Sequence, residues 1–137
     1  MYFNGWGVAK NLATAATWYE HSARRGDAWA AYNLAWIRSE GPRHLRNLAV
    51  AARYFALAAV LERGKPSRLA RTKLRRIPAR AKRAAILGSP AARTIGVGLP
   101  ARGKGYNKRM EGTLLALARW QWRTAKTRID LLGSSKL

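Results

Sequence analysis

Asn11-Leu12-Ala13-Thr14-Ala15-Ala16 and Asn47-Leu48-Ala49-Val50-Ala51-Ala52 lie 36 positions apart and agree at five of six residues. The agreement extends outward, with Trp18-Tyr19 over Tyr54-Phe55, Ala23 over Ala59 and Gly5 over Gly41. A period of this length marks stacked helical hairpins, because a single hairpin cannot bury its apolar face alone. Local signals agree with that reading. Asn11 is placed to cap a helix of about residues 12–25 that Gly26 ends, and Asp27 to cap a second of about 28–38. On the second, Trp29, Tyr32, Ala35 and Trp36 recur at spacings of three and four, one helical face. Gly41-Pro42 breaks the chain. Asn47 then caps a third helix of about 48–62, in which Ala51, Ala52, Phe55, Ala58 and Ala59 keep the helical period and let neighbours approach closely. The spacing predicts three helices and no strand in 11–62.

These residues resemble the Sel-one-like repeats, relatives of the tetratricopeptide repeats. Tyr2-Phe3-Asn4-Gly5-Trp6-Gly7-Val8 is similar to that family's inter-helix turn, and Ala15-Ala16-Thr17-Trp18-Tyr19-Glu20 with Ala23 and Gly26 to its second helix. Asp27-Ala28 with Tyr32-Asn33-Leu34-Ala35 looks like the opening of the next unit, while Gly41-Pro42-Arg43-His44 departs from the glycine-x-glycine-valine turn. The resemblance covers about residues 1–64, starts inside a turn, and implies protein–protein scaffolding. A fragment short of three repeats leaves aromatic faces uncovered unless another element caps them. Trp6, Trp18, Trp29, Tyr32 and Trp36 are therefore the candidate partner-binding residues.

The remainder of the chain differs in kind. Of 137 residues, positions 1–62 hold 7 Lys or Arg against 4 Asp or Glu, whereas 63–137 hold 20 against 2, within a formal net charge of +21. Charge of this size repels itself unless a polyanion screens it. Residues 65–87 are expected to form a basic capping helix region, with Ser67 as its cap and Leu69, Ala70, Leu74 and Ile77 facing inward before Pro78 interrupts it. Residues 88–112, with six glycines and two prolines, read as a Gly/Pro-rich basic linker. Residues 113–137 read as a basic amphipathic helix and tail, with Leu114, Leu117, Ala118, Trp122, Ala125, Ile129 and Leu132 on one stripe. Candidate phosphate contacts are Arg71, Lys73, Arg75, Arg76, Arg80, Lys82 and Arg83, joined by Arg102, Lys104, Lys108 and Arg109.

Signals for chemistry are sparse. The chain has no cysteine and two histidines, and Glu20 and His21 as helix neighbours point about 100° apart. Gly96-x-Gly98-x-x-Ala101 has the letters of a dinucleotide fingerprint but lacks the acid about 20 residues on, and carries Pro100 inside it. No enzyme activity, cofactor or metal is expected.

The sequence thus predicts an all-α protein: a short helix-turn-helix repeat array, or solenoid fragment, with a basic, partly disordered C-terminal extension. The expected function is a non-enzymatic module mediating protein–protein interaction or scaffolding. The alternative is a nucleic-acid-binding or ribonucleoprotein component using the basic half, with an anionic membrane surface a weaker choice of partner. A truncated repeat-protein gene product is the second alternative, because the helix expected before Tyr2 is missing. With neither a signal peptide nor a spanning segment read in the chain, a cytoplasmic location is the default expectation.

Overall fold

The computed structural model describes residues 9–61 and 64–127, which contain seven α-helices and no strand. They are α1 (Ala9–Arg24), α2 (Ala28–Glu40), α3 (Leu48–Leu61), α4 (Lys65–Arg76), α5 (Ala79–Leu87), α6 (Pro90–Ile95) and α7 (Tyr106–Thr127), with a 3-10 turn at Arg43–Leu45. The all-α expectation holds, and the first three helices fall where the repeat placed them.

Caps fix the boundaries. Asp27 accepts a bond from the Ala30 N–H at 3.1 Å, and Asn47 accepts from the Val50 N–H at 3.1 Å, each relieving an orphan donor of the first turn. Asn11, read as a third cap, instead lies inside α1, which is described from Ala9. Gly26 adopts φ +104, and a Cβ there would stand 2.6 Å from the Trp122 ring. That turn therefore needs glycine both for its backbone conformation and for the close approach of α7.

The core forms around α3. Ala51, Ala52, Phe55, Ala56, Leu57, Ala58 and Ala59 are all buried, more of the circumference than an amphipathic helix hides. Four helices explain this, since α2, α4, α5 and α7 all pack on α3. In a solenoid each unit meets only its neighbours; here the chain beyond α4 returns to α3 and closes over it. A second apolar cluster, Leu12, Ala15, Ala16, Leu34 and Ile37, joins α1 to α2. Within α1, Glu20 pairs with Arg24 at 2.7 Å, and the Arg24 side chain also reaches Tyr54 of α3.

Residues 64–127 hold more helix than the composition of the basic half implied. Ser67, expected to cap a helix, is buried inside α4 and donates its hydroxyl to the Ala58 carbonyl at 2.9 Å, stitching α4 to α3. Gly64 takes the cap position, and Pro66 fills the first turn, where the missing N–H costs nothing. Ile77-Pro78 divides 65–87 into α4 and α5. The segment 88–112, read as a linker, holds α6 and the first turns of α7, with Ala91, Ala92 and Met110 buried. Its glycines and prolines serve as punctuation: Ser89 caps α6, Pro90 opens it, and Gly96 ends it at φ +72. The last helix, expected to begin at about residue 113, starts at Tyr106 and buries Met110, Leu114, Leu117 and Ala118. Ile129 and Leu132 of the expected stripe lie outside the described residues.

Two outcomes follow from this packing. Phe55, fully buried, should cost about 3–5 kcal/mol on replacement by Ala, whereas Trp18, 68% exposed, should cost within about 0.5 kcal/mol; urea unfolding of the two variants measures both. Burial, then the Glu20 charge, raises the Tyr54 pKa above 10.0, against opposing contributions from Arg24 and Arg38. A raised folded pKa means stability that is complete below pH 10 and lost as pH climbs through the folded value. Tyr54→Phe should flatten that alkaline loss in a series of unfolding midpoints.

Candidate functional site

Each helix of the basic half has one face for the core and one for charge. On α4, Arg68, Arg71, Thr72 and Arg75 recur at helical spacing on the exposed side, opposite buried Ser67, Ala70 and Leu74. On α5, Arg80, Arg83 and Leu87 are exposed, opposite Ala81, Ala85 and Ile86. Arg76 is exposed at the C-terminal end of α4, and Lys73 is half-buried 4.0 Å from Glu40.

Lys82 corrects the expected set of phosphate contacts. Its side chain is 0% exposed, so it is not a surface cation. The ammonium donates to the Arg75 carbonyl at 3.3 Å, to Asn107 Oδ1 at 3.0 Å and to Glu111 Oε2 at 2.8 Å. All three of its donors are thereby used, the condition under which a buried ammonium is tolerated. A signal for this was present in the sequence. Lys82 falls on the same side of α5 as Ala81, Ala85 and Ile86, and Glu111 is one of two acids in residues 63–137. Asn107 and Glu111 were not singled out, because pairing across 25 and 29 residues has no local signature.

That buried node joins the two basic stretches. One nitrogen touches the Arg75 carbonyl at the end of α4 and Asn107 and Glu111 in the first turns of α7, so the end of α4 and the start of α7, which carries Lys108, meet at this node. Arg102, Lys104, Lys108 and Arg109 are all exposed. Arg109 spends part of its donor capacity at home, bonding the Lys104 and Ala101 carbonyls at 2.6 Å each. Arg102 lies 5.5 Å from the Tyr106 ring centre, a cation–π arrangement. Together these contacts fold the 101–106 turn onto α7.

Little negative charge opposes this surface. Among the described acids, Glu20 pairs with Arg24, Asp27 caps α2, Glu111 holds Lys82, and Glu40 stands near Lys73. Among the described residues no carboxylate comes within ion-pair distance of Arg71, Arg75, Arg76, Arg80, Arg83, Lys104 or Lys108. Nor do three His, Asp or Glu of the described residues gather where a metal could sit. Arg53, whose pKa is lowered by burial and partly restored by Tyr54, ties α3 to α5 by donating to the Ala85 carbonyl at 3.1 Å.

The aromatic candidates are distributed differently. Trp18 projects from α1, with His21 as an edge-on neighbour at 6.4 Å. Trp29, 43% exposed, meets Tyr32 edge-on at 5.8 Å, and Tyr32 in turn leans on buried Phe55 at 5.7 Å. Burial, then the Glu40 charge, raises the pKa of Tyr32. Trp36 is half-buried against the α1–α2 cluster. Trp6 lies outside the described residues. No described helix is long and apolar enough to cross a membrane.

Lys82→Met should destabilise the protein by about 3–5 kcal/mol, because it leaves the largely buried Glu111 carboxylate without its cation. The double variant Lys82→Met with Glu111→Leu should recover most of that loss, and a double-mutant cycle by urea unfolding checks it. A double variant no more stable than Lys82→Met alone would show that the node is not a coupled pair. Neither a protein-family model, nor a curated protein, nor a solved structure matches this chain.

Proposed function

We propose that this protein is a non-enzymatic helical module that binds a polyanion, a single-stranded nucleic acid, across the face formed by α4, α5 and the start of α7. One observation carries the reading: a buried Lys82 ties the end of α4 to the start of α7, while among the described residues no carboxylate lies within ion-pair distance of Arg71, Arg75, Arg76, Arg80, Arg83, Lys104 or Lys108. Isolated cations on a flexible tail would bind phosphate as well, but each would lose conformational entropy on binding. Cations displayed from packed helices have lost part of it already. Arg side chains suit the task, since the planar guanidinium can meet phosphate oxygens in pairs.

A second reading, attachment to another protein, is favoured by one different feature. Trp18, 68% exposed on α1, is a large apolar side chain of the kind that anchors interfaces. The resemblance of residues 1–64 to interaction-mediating helical repeats supports the same idea. The two readings occupy different elements and are compatible in one molecule.

Affinity for a single-stranded RNA oligomer, read by fluorescence anisotropy, should fall steeply with salt, with a log–log slope of roughly 0.7 per phosphate neutralised. Replacing Arg75, Arg76, Arg80 and Arg83 together by Gln should reduce that slope and leave the helix content by circular dichroism nearly unchanged, because all four are exposed and Gln is a good helix former. A slope insensitive to those four changes would remove the α4–α5 face from the site. Binding to a protein partner that survives nuclease and high salt, and is lost in Trp18→Ala, would favour the second reading.

A further inference from the structure

We infer that the cleft beside the basic face holds one base of the bound strand and prefers guanine. This rests on the nucleic-acid reading above and adds base selection to it. The cleft, ≈ 120 Å³, opens where the end of α2 and the start of α3 meet the Ile77-Pro78 corner. Phe55 and Ile77 lie at its apolar floor, Leu48 and Pro78 at its sides, and Glu40 and Arg76 at its rim. A cavity of about 150 Å³ seats a benzene ring, so this space seats about one six-membered ring, that of the base's pairing edge, with the rest of the base at the open mouth. It is too small for a peptide helix or a folded domain.

Charge places the cleft on the path of the strand. Arg76 belongs both to the rim and to the phosphate-binding face, so a nucleotide whose phosphate meets Arg75 or Arg76 can turn its base inward. Single-stranded nucleic acid is read in this way, with the base splayed from the backbone and bonded along its exposed edge.

Glu40 supplies the selectivity. It ends α2, where the helix dipole disfavours a carboxylate. The other described acids are held at bonding distance by a cation or a helix N-terminus. Glu40 instead lies 4.0 Å from Lys73, at the outer limit of an ion pair, with its side chain 53% exposed. A carboxylate accepts and does not donate. Guanine alone among the four bases offers two adjacent donors on its pairing edge, the ring N1–H and the 2-amino group, which match two carboxylate oxygens. Adenine and cytosine offer a single amino group beside an acceptor nitrogen that the carboxylate would repel, and uracil one imino N–H between two carbonyls that it would also repel.

The test uses the full chain and 12-nucleotide strands of adenine and uracil, with or without two internal guanines, as RNA and as DNA. Guanine should tighten binding by about tenfold, the scale of one bidentate contact. Inosine, which lacks the 2-amino group, should give an intermediate gain. Glu40→Gln and Glu40→Ala should each erase the guanine gain and leave the salt slope in place, with folding verified by circular dichroism. Equal affinity for all strands, or a guanine gain that survives both Glu40 changes, overturns the cleft assignment and leaves the phosphate-binding face standing. Binding of none of the strands overturns both.

Discussion

A single inward-turned cation organises the basic half of this protein. The Lys82 ammonium could have stayed in water like its neighbours, and burying it alone would be prohibitive. It is tolerable because the Glu111 carboxylate, the Asn107 amide and the Arg75 carbonyl converge on it from α7 and α4. The consequence is geometric more than energetic, since a buried ion pair gains little over an apolar pair of the same shape. It fixes which turn of α7 sits against the α4–α5 corner. Helices of like charge that would otherwise repel each other are held in register.

The core that receives these helices is built mainly of small residues. α3 is lined by alanine with Phe55 as its one fully buried ring, so α2, α4, α5 and α7 can approach it closely. Alanine contributes little apolar area per residue, and close backbone approach compensates through dispersion across many short contacts. The bulky aromatics are left for the periphery: Trp18 and Trp29 are partly in solvent, and Trp122 closes over Gly26. The three helices of the N-terminal part are completed here by the chain that follows them, which packs on α3.

Core and surface are coupled through helix amphipathicity. The side of α4 that packs on α3 uses Ala70, Leu74 and buried Ser67, leaving Arg68, Arg71 and Arg75 no direction but outward. The same geometry on α5 exposes Arg80 and Arg83. The basic face is thus set by the packing beneath it, and the polyanion proposed to bind there would not first have to order a tail.

The sequence by itself determined the local elements. The 36-residue offset, with Asp27 and Asn47 as caps, located α1, α2 and α3, and the excess of 20 Lys or Arg over 2 Asp or Glu in 63–137 located the basic half. It did so because caps, helical period and charge are properties of neighbouring residues. Where a local sign had two physical meanings, tertiary structure chose. Glycine and proline over 88–112 mark a linker or the ends of helices, and burial of Ala91, Ala92 and Met110 made them helix ends. Ser67 could cap a helix or bond across one, and the nearby Ala58 carbonyl settled it. Lys82 looked like one more cation in a basic run. Only the approach of Glu111 from 29 residues away made it a buried anchor, because the electrostatic term that decides the matter depends on distance in space and on exclusion of water. Neither quantity is written in the order of the residues.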